Sequence, residues 1–286
     1  MLASAGICHE QFLGSLWSSS RRQLLGINLY HHAGTQPSMS DDGRMLSGSA
    51  DVGAPPASHL YPRVTSFRAR RSHLSDAQKV TWDRRWPELG THARSDDGPA
   101  PLLDTGKWFG RNAPIVLEIG CGAGTSTVAM AQAEPDLDVV AVEVYKRGLA
   151  QLLSAIDREN VHNIRLVRGD GVDVLEHMFA PDSLTGVRVF FPDPWPKARH
   201  HKRRLLQPAT MALIADRLRP GGVLHVATDH AGYAEHIATV GDAEPRLRRV
   251  DITDVLPISA ARPVTKYERK ALAGPVVAEL LWEKSR

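Results

Sequence analysis

From about residue 114 onward, short apolar runs alternate with stretches of helical period. Ile115-Val116-Leu117-Glu118-Ile119, Leu137 to Val142, Ile164 to Val167, Val187 to Phe191 and Val223 to Ala227 read as strands, and Val276 to Trp282 as a further one. Between them, Thr125 to Ala133, a segment through Ile156, Val172 to Met178, Leu205 to Leu218 and Tyr233 to Val240 read as helices. The helix beginning at Leu205 is expected to stop at Arg219-Pro220-Gly221-Gly222. Strands alternating with helices predict an α/β fold with a mostly parallel sheet covered on both faces.

Residues 1–60 break this pattern. Ser18-Ser19-Ser20, Gly34 to Ser38 and Gly53 to Ala57 are small, polar or proline-rich, and predict a disordered tail. The first forty residues hold one acid, Glu10, and two arginines, a faint resemblance to a transit peptide. A translation start at Met39 or Met45 is the simpler reading. Residues 61–110 form a basic arm and helix. Arg63, Arg68, Arg70, Arg71, Lys79, Arg84 and Arg85 are interleaved with Phe67, Trp82 and Trp86. Ser75 and Gln78 have capping-box spacing. The stretch suits a solvated helix face or an arm lying on phosphates. Residues 111–286 make up the catalytic-looking domain.

Composition narrows the classes. The 286 residues are 42% hydrophobic, enough for a sizeable core and against global disorder. No apolar run is long enough for a membrane helix. The net charge of +3 does not by itself imply nucleic acid. Cys8 and Cys121 lie far apart, which argues against a disulfide framework or a thiolate metal site and predicts a reducing compartment.

The candidate chemistry starts at Gly120-Cys121-Gly122-Ala123-Gly124, directly after the first strand. Glycines let backbone turn tightly and approach a ligand. A dinucleotide fingerprint would need glycine at 125, where this chain has Thr125. Glu118, Glu143 and Asp170 fall at or near strand ends, where ligands of open α/β sheets bind. Three acids repel a pyrophosphate. They suit S-adenosylmethionine, which brings an amine, a sulfonium, a ribose and no phosphate. Cys121 reads as a small loop residue rather than a nucleophile.

After the fourth strand comes Phe191-Pro192-Asp193-Pro194-Trp195-Pro196-Lys197, in which three prolines stiffen the backbone. Lys197, Arg199, Lys202, Arg203 and Arg204 then place five fixed positive charges in eight residues, with His200 and His201 among them. Beside a reaction site this run suits RNA phosphate. The histidine pair lacks metal-ligand spacing, so no metal is expected.

These residues resemble the bacterial tRNA (guanine-N7)-methyltransferase family. The resemblance rests on Phe191 to Lys197, Arg199 to Arg204, Glu118 to Gly124, Ala227-Thr228-Asp229 and Thr265-Lys266-Tyr267-Glu268, in that family's order, over roughly residues 64–286. It implies a Rossmann-like class I S-adenosylmethionine-dependent methyltransferase fold, seven-stranded with one antiparallel strand. It implies that Glu118, Gly120, Gly122, Gly124, Glu143, Asp170 and Asp193 hold the donor, with Asp193 also catalytic. Lys197, Asp229, Thr265, Lys266, Tyr267 and Glu268 would contact substrate, and Arg199, Lys202, Arg203 and Arg204 would meet RNA phosphates. The substrate implied is a guanine at position 46 of the tRNA variable loop. A cytoplasmic monomer or homodimer, without membrane, is expected. Tyr267, Arg269-Lys270-Ala271 and His230 depart from the family's usual residues.

Guanine N7 already carries a lone pair, so an in-line displacement needs positioning more than a base. A fixed carboxylate such as Asp193 stabilises positive charge as it reaches the ring. The competing readings are methylation of an exocyclic base amine, a non-catalytic RNA-binding protein, and a nicotinamide oxidoreductase; Thr125 and the acids disfavour the last.

Overall fold

The computed structural model describes residues 73–263 and 276–286. It opens with α1 (Asp76–Leu89), whose start carries the expected capping box: Gln78 N donates to Ser75 Oγ and Ser75 N to Gln78 Oε1. Then come β1 (Gly90–His92), the small hairpin β2 (Arg94–Ser95) and β3 (Gly98–Pro99), and the short α2 (Thr105–Phe109). The repeating part follows as β4 (Ile115–Ile119), α3 (Thr125–Ala133), β5 (Asp138–Glu143), α4 (Lys146–Glu159), β6 (Ile164–Arg168), α5 (Gly171–His177) and β7 (Leu184–Phe190). A 3-10 turn over Ala198–Arg203 leads to α6 (Pro208–Arg217), β8 (Leu218–Thr228), α7 (Ala231–Asp242), β9 (Leu247–Val250) and β10 (Ala278–Lys284). Among the described residues no helix is long and apolar enough to cross a membrane.

One sheet organises the molecule, in the order β1-β6-β5-β4-β7-β8-β10-β9. Seven of its strands meet the expectation, and β10 runs antiparallel to both its neighbours. The eighth, β1, adds a short parallel edge on β6. Its three residues, Gly90-Thr91-His92, are too few to show a period in the sequence. One face buries Val174, Leu175, Met211, Ile214, Tyr233 and Ile237 from α5, α6 and α7. The other buries Trp82, Val128, Leu149, Leu152 and Ile156 from α1, α3 and α4. The central strands β4 and β5 are buried at every position, which is why they read as largely apolar runs, broken only by Glu118 in β4 and by Asp138 and Glu143 at the ends of β5.

Several boundaries differ from expectation by a few residues, and three of them have a local cause. α6 starts at Pro208, not Leu205, because a residue before proline disfavours the helical region while proline suits a first turn. Arg219 to Gly222 is not an independent turn. The β7 register passes from Leu184↔Leu218 to Gly186↔Val223, so these residues bulge out within β8. Phe191 leaves its strand at φ +51°.

The basic stretch after residue 73 is built into the domain. Trp82 stacks on Trp86 at 4.1 Å, and Arg84 and Arg85 both reach Asp157 on α4. Arg63 to Arg71 lie outside the described residues.

Candidate active site

The chain runs outward from β4 through β5 to β6, then crosses back to β7 and β8. The reversal between β4 and β7 opens a crevice at the carboxyl ends of the strands, where such sheets bind ligands. A cleft of about 170 Å3, open to solvent, lies there. Gly120 lines it after β4, Glu143 to Tyr145 after β5, Gly169 to Gly171 after β6, and Phe190 to Asp193 after β7.

The glycine turn divides its work. Gly120 sits at φ +81°, and a Cβ there would project into open space within the cleft. Gly122, at φ +56°, donates its N–H to Glu143 Oε2 at 3.0 Å. Gly124, at φ +78°, caps α3, and a Cβ there would fall 2.4 Å from Leu152 Cδ1. The first glycine is thus a cleft wall, the second a donor to the acid, and the third a packing requirement. Cys121 is buried, and burial pushes its thiol well above the usual range, so it is no nucleophile.

The four acids occupy different settings. Glu143 ends β5 and accepts three backbone N–H groups, from Gly122, Val144 and Tyr145. Burial nevertheless leaves its carboxyl above its ordinary value. Asp170 caps α5 through Val172 N at 2.9 Å and lines the cleft. Asp193 is exposed at the cleft wall and makes no hydrogen bond or ion pair with a described residue. Glu118 differs from expectation: it is not among the cleft-lining residues. It is 3% exposed, and its Oε1 accepts from Thr127 Oγ1 on α3 at 3.0 Å. Its other oxygen has no partner among the described residues. Beside it in register stands Arg188 of β7, fully buried and bonded to Glu134 Oε2 at 2.6 Å. The sequence reading missed Arg188, although an arginine amid Gly186-Val187-Arg188-Val189-Phe190 is itself a signal of a buried charge partner.

The loop carrying Asp193 is strained twice. Phe191 and Trp195 both hold positive φ, +51° and +44°, a conformation that bulky residues keep only when their surroundings fix it. Trp195 is buried. His200 meets its ring edge-on at 5.8 Å, and the Arg203 guanidinium lies 4.9 Å from its centroid. Trp195 is thus packed into the protein against His200 and Arg203. Arg204 is also buried, which changes its expected role: it donates from Nε to Pro194 O and lies over the Tyr233 ring. It braces the loop from within the protein. Lys197, Arg199 and Lys202 remain exposed.

Asp229 is exposed immediately beyond β8. The next residue, His230, caps α7 by accepting Tyr233 N at Nδ1, so the departure at this position keeps a structural use. Thr265, Lys266, Tyr267 and Glu268 lie outside the described residues.

A family model described as "Putative methyltransferase" matches residues 112–276. A tRNA (guanine-N(7)-)-methyltransferase of Mycobacterium sp. (strain KMS) is 78% identical over 230 residues, covering 80% of this chain and 84% of that protein. The protein of the same description from Mycolicibacterium vanbaalenii is 74% identical over 264 residues, covering 86% and 99%. That from Mycobacterium bovis (strain BCG / Pasteur 1173P2) is 68% identical over 234 residues, covering 80% and 89%.

Proposed function

The chain belongs to the tRNA (guanine-N(7)-)-methyltransferase family; on that premise we propose that it methylates N7 of a guanine in tRNA, at position 46, that S-adenosylmethionine sits in the strand-end cleft and that Asp193 is the catalytic residue. One observation carries this reading. Among the described residues, Glu143, Asp170 and Asp193 line the cleft and no lysine or arginine does. Such a wall suits a cationic donor without phosphate and repels a dinucleotide. The open space above Gly120 is a cradle that any side chain would fill.

The donor supplies an electrophilic methyl group. Glu143 would take the ribose hydroxyls through the lone pairs its three backbone bonds leave free. Asp170 would take a neighbouring polar edge of the nucleoside. Glu118 would hold α3 against the glycine turn from beneath, through Thr127, rather than touch the donor. Asp193 would face the guanine ring as it becomes cationic. A preformed carboxylate helps that state more than the neutral ground state, which is what accelerates a reaction. It would also accept from the guanine N–H edge, which adenine lacks. Lys197, Asp229 and the Thr265 to Glu268 segment would contact the RNA. Arg199 and Lys202, exposed beside the loop, would meet phosphates. tRNA is matured in the cytoplasm, which is the setting we assign.

The test is methyl transfer from labelled S-adenosylmethionine to unmodified tRNA, followed by nucleoside analysis. Labelled 7-methylguanosine is expected. With Asp193→Ala, kcat should fall about tenfold or more while donor affinity changes less. An unchanged kcat would remove Asp193 from the mechanism.

A further inference from the structure

Arg262 lies just before the break in the described chain, in sequence far from β7, yet its guanidinium packs on the end of that strand. Its side chain is 5% exposed. Nε and Nη2 both donate to Glu279 Oε1, at 3.1 and 2.8 Å. The other Glu279 oxygen lies 2.7 Å from Nε2 of His225, a fully buried ring on β8. A carboxylate only accepts, so His225 donates from Nε2. Burial would push Glu279 upward, but the bonds from His225 and Arg262 outweigh it and hold the carboxyl below its ordinary range. Arg262 is thereby fixed to an ionised partner on β10.

The far side of the guanidinium meets two aromatic rings. It lies 4.9 Å from the Phe191 centroid and 5.7 Å from that of Phe190. Phe190 in turn meets His225 edge-on at 4.9 Å. Phe191 is the residue at φ +51°, it lines the cleft, and it stands two residues before Asp193. Its backbone N–H donates to Ala227 O at 2.8 Å, which ties it to β8. A phenylalanine keeps a left-handed backbone only when its surroundings leave no alternative. A planar cation against the ring, anchored from behind, supplies that restraint.

We propose that Arg262 is a positioning residue for methyl transfer: anchored by Glu279, it holds Phe191 in the turn that presents Asp193 to the cleft. The proposal rests on the assignment of Asp193 above. Arg262 touches neither donor nor guanine in this scheme and acts only through the loop. His225 and Glu279 are its support, and the three form one chain from β10 through β8 to the loop after β7.

The test uses the full chain, with Arg262→Met, Arg262→Lys and Glu279→Gln, each alone and combined with Asp193→Ala. The readouts are kcat, KM for tRNA, donor affinity by calorimetry and thermal melting. Arg262→Met should lower kcat about tenfold and shift KM for tRNA less than about threefold. In the Asp193→Ala background the same change should lower kcat further by less than about twofold, because the group being positioned is gone. Arg262→Lys, which keeps the ion pair and loses the planar face, should fall between wild type and Arg262→Met. Should Arg262→Met fail to fold, Arg262→Lys is judged by the same comparison in both backgrounds. Unchanged kcat in a folded variant, a loss confined to KM, or equal losses in the two backgrounds would each overturn the proposal. Full kcat in Arg262→Met beside a crippled Asp193→Ala sinks Arg262 alone. Full kcat in Asp193→Ala itself sinks both.

Discussion

Arg204 donates from Nε to the carbonyl oxygen of Pro194 at 3.0 Å, so a member of the basic run fastens the loop that carries Asp193. Its neighbours do something else. Arg203 lies against Trp195, and Lys197, Arg199 and Lys202 face solvent. A sequence of five cations is therefore two sets with different work.

That division is measurable through salt. Replacing Arg199 and Lys202 with glutamine should weaken tRNA binding and flatten its salt dependence, by roughly one unit of slope for each phosphate no longer neutralised. Arg204→Ala should leave the slope intact, lower the melting temperature and lower kcat. It removes a buried donor from Pro194 O, a loss on the order of 1–3 kcal/mol. A flattened slope in Arg204→Ala would return that residue to the RNA face.

The glycines after β4 should separate in the same way. Gly124→Ala forces a Cβ to within 2.4 Å of Leu152 at a positive φ. It should destabilise the chain by roughly 2–4 kcal/mol, from strain plus overpacking. Gly120→Ala meets no protein atom within 4 Å. Its loss of stability should be only the backbone strain, about 1–2 kcal/mol, while KM for the methyl donor rises because the added carbon enters the cleft. Melting curves and donor KM on both variants check this; equal melting temperatures would refute it.

Glu118 sets a pH dependence. Burial pushes its carboxyl up to about 7 from an ordinary value of 4.5, against the opposing pull of Arg188 and the Thr127 hydrogen bond. The folded chain then keeps a proton that the unfolded chain has released. Its contribution to stability is whole below about pH 4.5 and falls as pH rises to about 7, by roughly 3 kcal/mol at the upper end. Glu118→Gln should remove this decline. The melting temperature of the variant relative to wild type should climb steadily between those pH values. Parallel curves would show that Glu118 titrates normally.

Much of the fold was legible because its signals are local. The runs at Ile115–Ile119 and Ile164–Arg168 are buried strands flanked by turn residues, and Ser75 with Gln78 reads as a cap whatever surrounds it. β9 was not legible, since Arg248 and Arg249 interrupt its apolar ends and it exists by pairing with β10. The site divided along the same line. Gly120, Glu143, Asp170 and Asp193 were reached from strand ends and loop chemistry, and they line one cleft. Glu118 and Arg204 have the right residue types in the right motifs, but point inward.

Sequence alone determined the alternation of strands and helices, the acids at the strand ends and the stiff loop after β7. Each follows from the spacing of neighbouring residues and the torsions they permit. Tertiary structure alone decided which charges are spent within the protein. Arg188 meets Glu134, Arg204 meets Pro194, and Arg262 meets Glu279 across separations of 54, 10 and 17 residues. The physical reason is desolvation: a charge removed from water must find a partner wherever the packed chain brings one, and chain order does not say where that will be.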